Sequence, residues 1–192
     1  MPCSAICACP VSNLLVMKHI YYLSFFLLLI SACDKDKFQP DYSNGMADAS
    51  KNGENWVGQG YALISQQNKY AFLFSVYNQY GELRQELYFF NILRAIGTYQ
   101  LYKVQSQNLD SLASARFFTS SSDGDVSEDS YYVKADSLAS NIFIESIDTN
   151  SGWVIGKFNA VFYIRPDRPK FNPANPDTIR FTNGRFSAKV LE

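Results

Sequence analysis

After about residue 46, apolar and polar residues alternate with a period of two, and turn formers break the alternation at short intervals. Successive side chains of a strand point to opposite faces, so this pattern predicts antiparallel strands with one wet face. Residues 70–77 read YAFLFSVY and bring Phe72, Phe74 and Val76 to one face. Further strands are predicted over 56–64, 83–92, 116–119, 131–133, 141–147 and 153–164, with Val161 and Tyr163 joining the inward set. Asp148-Thr149-Asn150-Ser151-Gly152 separates two of these runs and reads as a hairpin turn. Residues 179–182 and 185–190 flank Asn183-Gly184, two residues that tolerate positive φ. That dipeptide marks either a two-residue hairpin or a bend in one long final strand. The best helical candidate, 107–115, is short, and no stretch sustains i, i+3, i+4 spacing. The expectation is an all-β chain, with a single antiparallel β-sandwich or β-barrel domain over 46–192.

The N-terminal quarter departs from this pattern. Met17-Lys18-His19 precedes a mostly apolar run over 20–32, too short for the roughly 20 residues that a membrane-spanning helix needs. It fits the apolar region of a secretory signal. The run ends in Leu29-Ile30-Ser31-Ala32-Cys33, which resembles the bacterial lipobox. That resemblance implies cleavage after Ala32, a diacylglyceryl thioether on Cys33 and a further acyl chain on the new amine. Several acyl chains anchor stably where one is marginal. The expected partner is thus membrane lipid through Cys33, and the expected address is the outer membrane, in its periplasmic or surface leaflet. The alternative is an uncleaved N-terminal helix that ends by chance in a cysteine. Residues 1–16 match no part of a signal, so Met17 is the expected start; the alternative is a longer charged start from Met1, which leaves the mature product unchanged. Residues 33–45 are polar, hold Pro40 and Asn44-Gly45, and read as a tether.

Composition then removes much chemistry. The single histidine is His19, and the four cysteines are Cys3, Cys7, Cys9 and Cys33. The domain itself has neither residue type, so it cannot build a Ser-His-Asp or Cys-His site, a zinc site of the usual ligands, or a disulfide. No cofactor is expected. The chain holds 17 Lys and Arg against 18 Asp and Glu, and the leader carries only Lys18 among them. A near-neutral domain offers no footprint for nucleic acid.

Two loops stand out. Residues 120–130 read SSSDGDVSEDS, and Asp123, Asp125, Glu128 and Asp129 are oxygen donors of the kind Ca2+ takes. The spacing is not that of an EF-hand, because glycine falls second and Lys134 would fall twelfth; a solvated acidic loop is the favoured reading. Residues 165–177 read RPDRPKFNPANPD, a loop because proline cannot donate to a strand ladder. It is long for a compact β domain, and long ordered loops often carry function. Arg165, Arg168, Lys170 and Phe171 make it the candidate binding loop, although a semi-rigid connection is the plainer reading. The run Tyr88-Phe89-Phe90 must also put aromatic surface outside a single core face.

Asn52-Gly53-Glu54-Asn55-Trp56, Gly97-Thr98-Tyr99, Gly156-Lys157-Phe158-Asn159-Ala160 and Thr182-Asn183-Gly184-Arg185-Phe186 occur in that order behind the lipobox. In this the chain is similar to a family of small Bacteroidetes lipoproteins of unknown function. The resemblance implies an all-β fold and an envelope location, and it implies no reaction. The expected role is binding or accessory structural work, with a glycan or an envelope protein as partner. The alternative is a carboxylate-dependent hydrolase acting on glycans, with Glu82, Glu86 and Glu145 as the acids on strands. A pocket with two close carboxylates would favour the hydrolase. A flat aromatic platform beside a basic loop would favour binding.

Overall fold

A computed structural model describes residues 37–103, 112–134, 139–167 and 169–191. Cys33, the rest of the leader and Arg168 lie outside the described residues. The chain divides into two units, Met1–Lys37 and Phe38–Glu192, and all the described strands belong to the second.

The strands are β1 (Gly45–Lys51), β2 (Glu54–Ile64), β3 (Lys69–Tyr77), β4 (Leu83–Leu93), β5 (Gly97–Gln100), β6 (Ser114–Ser120), β7 (Ser127–Val133), β8 (Asn141–Asp148), β9 (Trp153–Ile164) and β10 (Thr178–Leu191). No helix occurs among the described residues. The single sheet is all antiparallel except for a short parallel contact between the ends of β10 and β2. It closes on itself, because β1 pairs with both β2 and β10 while β2-β3-β4-β6-β7-β9 leads round to β10. Closure removes the edges of the eight strands in the ring, and among the described residues β5 pairs only with β8, outside it. β9 is long enough to serve three neighbours. One edge takes β10, and the other takes β8 along its first part and β7 at its end.

The interior is packed with rings. Phe72, Phe74, Phe89, Phe117, Tyr131, Phe158, Phe162 and Phe181 are fully buried. Contacts cross the barrel: Phe72 meets Phe186 at 4.9 Å, Phe89 meets Phe158 at 5.1 Å, and Phe117 meets Phe181 at 5.3 Å. An eight-stranded closed sheet leaves an interior about wide enough for side chains to fill.

β3 turns Phe72, Phe74 and Val76 inward as its pattern predicts. The inward assignment of Tyr163 is corrected, and Val161, although buried at 8% exposure, lies outside the core cluster. β9 buries Phe158, Ala160 and Phe162 in the core, while Tyr163 is 37% exposed on the outer face. Lys157 and Asn159 set this phase, because their polar side chains must face water. The uniformly apolar stretch after them carries no phase of its own. The short helix expected over 107–115 is also corrected where it is described. Ser114 and Ala115 belong to β6, and 107–111 lie outside the described residues.

Asn183-Gly184 is a bend within β10, the second of its two readings. Asn183 sits at φ 55°, and the register with β9 shifts between Phe181 and Gly184. Both halves of β10 pair with β9, so the strand continues past the bend. Gly184 lies opposite Phe158, and Gly156 lies opposite Phe186. A Cβ on either glycine would come within 2.6 Å of the facing ring. The two Gly-x-Phe motifs therefore interlock, each ring covering the other strand's glycine.

β1 was not among the expected strands. It buries only Gly45, Ala47 and Ala49, the two alanines placed beside Phe186 and Trp56. The end of the expected tether also lies on the barrel. The Phe38 N–H donates to the Gln79 carbonyl at 2.8 Å, and the Phe38 ring packs on Tyr77 at 5.2 Å.

Candidate functional site

The Pro-rich loop joins β9 to β10, and one buried carboxylate ties it down. Asp129 points inward from β7 and is 3% exposed. It accepts hydrogen bonds from the Phe171 N–H at 2.8 Å, the Asn172 N–H at 3.3 Å and the Asn175 side-chain amide at 2.7 Å. The Tyr131 hydroxyl donates to the Pro176 carbonyl at 2.9 Å. Burial, with Asp129 and Asp177 nearby, pushes that phenol well above the usual tyrosine range. Lys51, Gln85, Thr119 and Asp129 are near the ends of their strands at this mouth of the barrel. Gln85 accepts from the Lys51 ammonium at 2.7 Å and from the Trp56 indole at 3.0 Å. Burial holds the Lys51 ammonium below the usual lysine range, against an opposing pull from Glu54. The loop thus straps one barrel mouth.

The side chains named in that loop are partly spent on one another. Arg165 pairs with Asp167, and Lys170 pairs with Asp177 at 2.8 Å. The Phe171 ring is 65% exposed. A cleft of about 470 Å³ lies between the loop and the start of β7, with Glu128, Asp129, Lys170 and Phe171 in its wall.

Three of the four acids of the 120–130 loop are held by different partners. Asp123 accepts from the Ser121 hydroxyl and the Asp125 N–H, which hold its carboxyl below the usual range. Glu128 takes the Asn172 amide at 3.4 Å, and Asp129 turns inward. Among the described residues no group of three or more metal-ligating side chains converges.

The outer wall holds an arrangement that the loop motifs did not reveal. Tyr61, Leu73, Tyr88, Arg116, Tyr132, Tyr163 and Thr178 stand in direct register across β2, β3, β4, β6, β7, β9 and β10. Strands lie about 4.8 Å apart, so Tyr88 to Tyr163 spans an arc of roughly 14 Å. Phe90 stacks on Tyr88 at 5.3 Å. The Arg116 guanidinium lies between aromatic neighbours, 5.5 Å from the Phe90 centroid and 5.2 Å from that of Tyr132. Arg165 approaches the Tyr132 ring at 5.8 Å, and the Lys134 ammonium sits 4.9 Å from the Tyr163 ring. A cleft of about 390 Å³, mostly apolar, opens between Tyr132, Tyr163, Lys134 and Pro166, with Lys103 at its rim. Its size falls in the range of small-ligand sites.

Arg116 is unusual in what it lacks. Its Nε is buried without a hydrogen-bond partner, and no carboxylate among the described residues pairs with the guanidinium. A buried unsatisfied donor costs about 1–3 kcal/mol, so a native structure needs a reason to keep one. Tyr88-Phe89-Phe90 was the available sequence signal: Phe89 is buried in the core while Tyr88 and Phe90 face outward. Arg116 gave no signal, because an arginine on the wet face of a strand is ordinary until its partners are known.

The candidate acids of a hydrolase are held separately. Glu82 pairs with Arg84 at 2.8 Å and accepts from the Asn78 amide at 2.7 Å, and Glu145 pairs with Lys157. Glu86 lies on the outer face of β4, where burial raises its carboxyl above the usual range. No family model, curated protein or solved structure matches the chain.

Proposed function

We propose that this protein is an envelope lipoprotein, acylated at Cys33 and held at the outer membrane, whose barrel binds a saccharide on its outer wall. The observation that carries the binding reading is the registered row Tyr88–Arg116–Tyr132–Tyr163 with the cleft beside it. Tyrosines present an apolar face with a polar tip, which suits a sugar ring's C–H face and its hydroxyls. The packed core leaves the wall as the surface for recognition. Arg165, one of the loop residues expected to bind, borders this row through Tyr132. Lys170 and Phe171 line the neighbouring cleft at the strapped mouth.

Two measurements test the reading. Cys33→Ala should leave an unprocessed precursor or release the protein from membranes, and mass spectrometry should find acyl chains on Cys33 of the native protein. An unmodified Cys33 in mature protein would remove the anchor. Tyr132→Ala with Tyr163→Ala should abolish saccharide binding on a glycan array while near-ultraviolet circular dichroism still reports a packed core. Undiminished binding by that variant would move the site elsewhere.

A further inference from the structure

Resting on the saccharide reading, we infer that the outer-wall site selects a saccharide bearing a carboxylate, with the Arg116 guanidinium as its anchor and the Tyr132–Tyr163 cleft as its seat. The charges around the cleft carry this. Of the cations on this wall, Arg165, beside the Tyr132 ring, is neutralised by Asp167. Arg116 and Lys134 have ring contacts and no carboxylate partner among the described residues, and Lys103 adds a third positive charge at the rim. A surface with spare cations in fixed positions is complementary to an anion.

The form of Arg116 argues for a carboxylate. Its Nε is buried without a partner, and no hydrogen bond or ion pair joins its terminal nitrogens to another described residue. Its terminal nitrogens form the fork that takes two oxygens of one planar acid group, the geometry in which arginine exceeds lysine. Rings on two sides hold the guanidinium in place before any ligand arrives, so little ordering remains at binding. The burial cost at Nε is a cost of holding the fork in that place.

The site is also polar in the directional sense. Glu86 occupies the next outward position from Tyr88 on β4, one register row from Arg116, and makes no ion pair with it. A second acid group there would be repelled, whereas a sugar hydroxyl can donate to Glu86. The geometry therefore sets the acidic ring over Tyr132 and Tyr163 and a neutral ring over Tyr88, beside Glu86.

The test uses the full-length protein purified from its membranes. The probes are uronic-acid oligosaccharides of several linkages, their carboxyl methyl esters, and sulfated oligosaccharides, read by calorimetry. The expected result is binding of at least one uronate and a roughly ten- to hundredfold loss on esterification, the range for losing a hydrogen bond to a charged group. Arg116→Gln should cause the same loss for the acid and leave the weaker ester binding unchanged. Arg116→Lys should recover only part. Lys134→Gln, which keeps the stacked arginine in place, should cost a few-fold and reduce the salt dependence. Equal binding of acid and ester would overturn the acidic selectivity while keeping the saccharide reading. Binding of none of the probes would overturn both. Preference for sulfate over carboxylate, or uronate binding unchanged in Arg116→Gln, would overturn the anchor assigned here.

Discussion

Asp129 accepts three hydrogen bonds from the Pro-rich loop and has almost no contact with water. Removing it strands three donors at a buried site. Asp129→Ala should cost about 2–4 kcal/mol of stability, read as a lower urea midpoint, and Asp129→Asn should cost less because one acceptor remains. An unchanged midpoint would mean that the strap is idle. Glu86 behaves oppositely. Burial raises its folded-state pKa above the unfolded value, so ionisation opposes folding. Its contribution is present below the usual glutamate range and is lost as pH rises through the raised value. Glu86→Gln should therefore raise the neutral-pH midpoint, by less than about 1 kcal/mol because water screens a half-exposed charge. It should also flatten the pH profile just above the usual glutamate range. A pH profile identical to that of the native protein would refute the assignment. None of this was visible in sequence. Asp129 read as one more member of an acidic run, and only the inward phase of β7 separates it from Asp123, which caps its own turn.

At the scale of elements, the legible strands were those with a strong contrast between faces. YAFLFSVY and the Asp148–Gly152 turn fixed β3 and the β8–β9 hairpin, because large apolar side chains alternate with others and the turn residues are unambiguous. β1 was illegible for a packing reason: facing Phe186 and Trp56, it needs only glycine and alanine inside, so its sequence lacks an apolar stripe. The loop after β9 was recognised as a loop by its prolines, but its attachment was not, since the bonds run through backbone N–H groups. That distinction gives a prediction. Replacing Lys170 and Phe171 with Ala keeps those backbone donors, so stability should change by about 0.5 kcal/mol or less. Asn175→Ala removes the amide shared by Asp129 and Thr119 and should cost about 1–2 kcal/mol in the same urea titration. The reverse order would mean that the loop is held by its exposed side chains.

For the barrel as a whole, closure and function use opposite faces of the same strands. Each of β4, β6, β7 and β9 gives a buried ring or aliphatic side chain to the core and an outward group to the Tyr88–Tyr163 row. Phe181 is the point where the inner faces meet. Its ring contacts Trp56 from β2 at 5.2 Å, Phe117 from β6 at 5.3 Å and Phe162 from β9 at 5.9 Å. Phe181→Ala should open a cavity shared by several strands and cost about 3–5 kcal/mol. Tyr163→Ala removes an aromatic of similar size from the outer wall of the adjoining strand and leaves no cavity. It should cost about 1 kcal/mol or less in stability while reducing ligand binding. Thermal unfolding of both variants, followed by tryptophan fluorescence and by backbone circular dichroism, should keep the two probes coincident, because a closed sheet with one ring cluster unfolds as a unit. If Tyr163→Ala proved as destabilising as Phe181→Ala, the outer row would be part of the fold's support. The wall would then lose its standing as a surface free to bind.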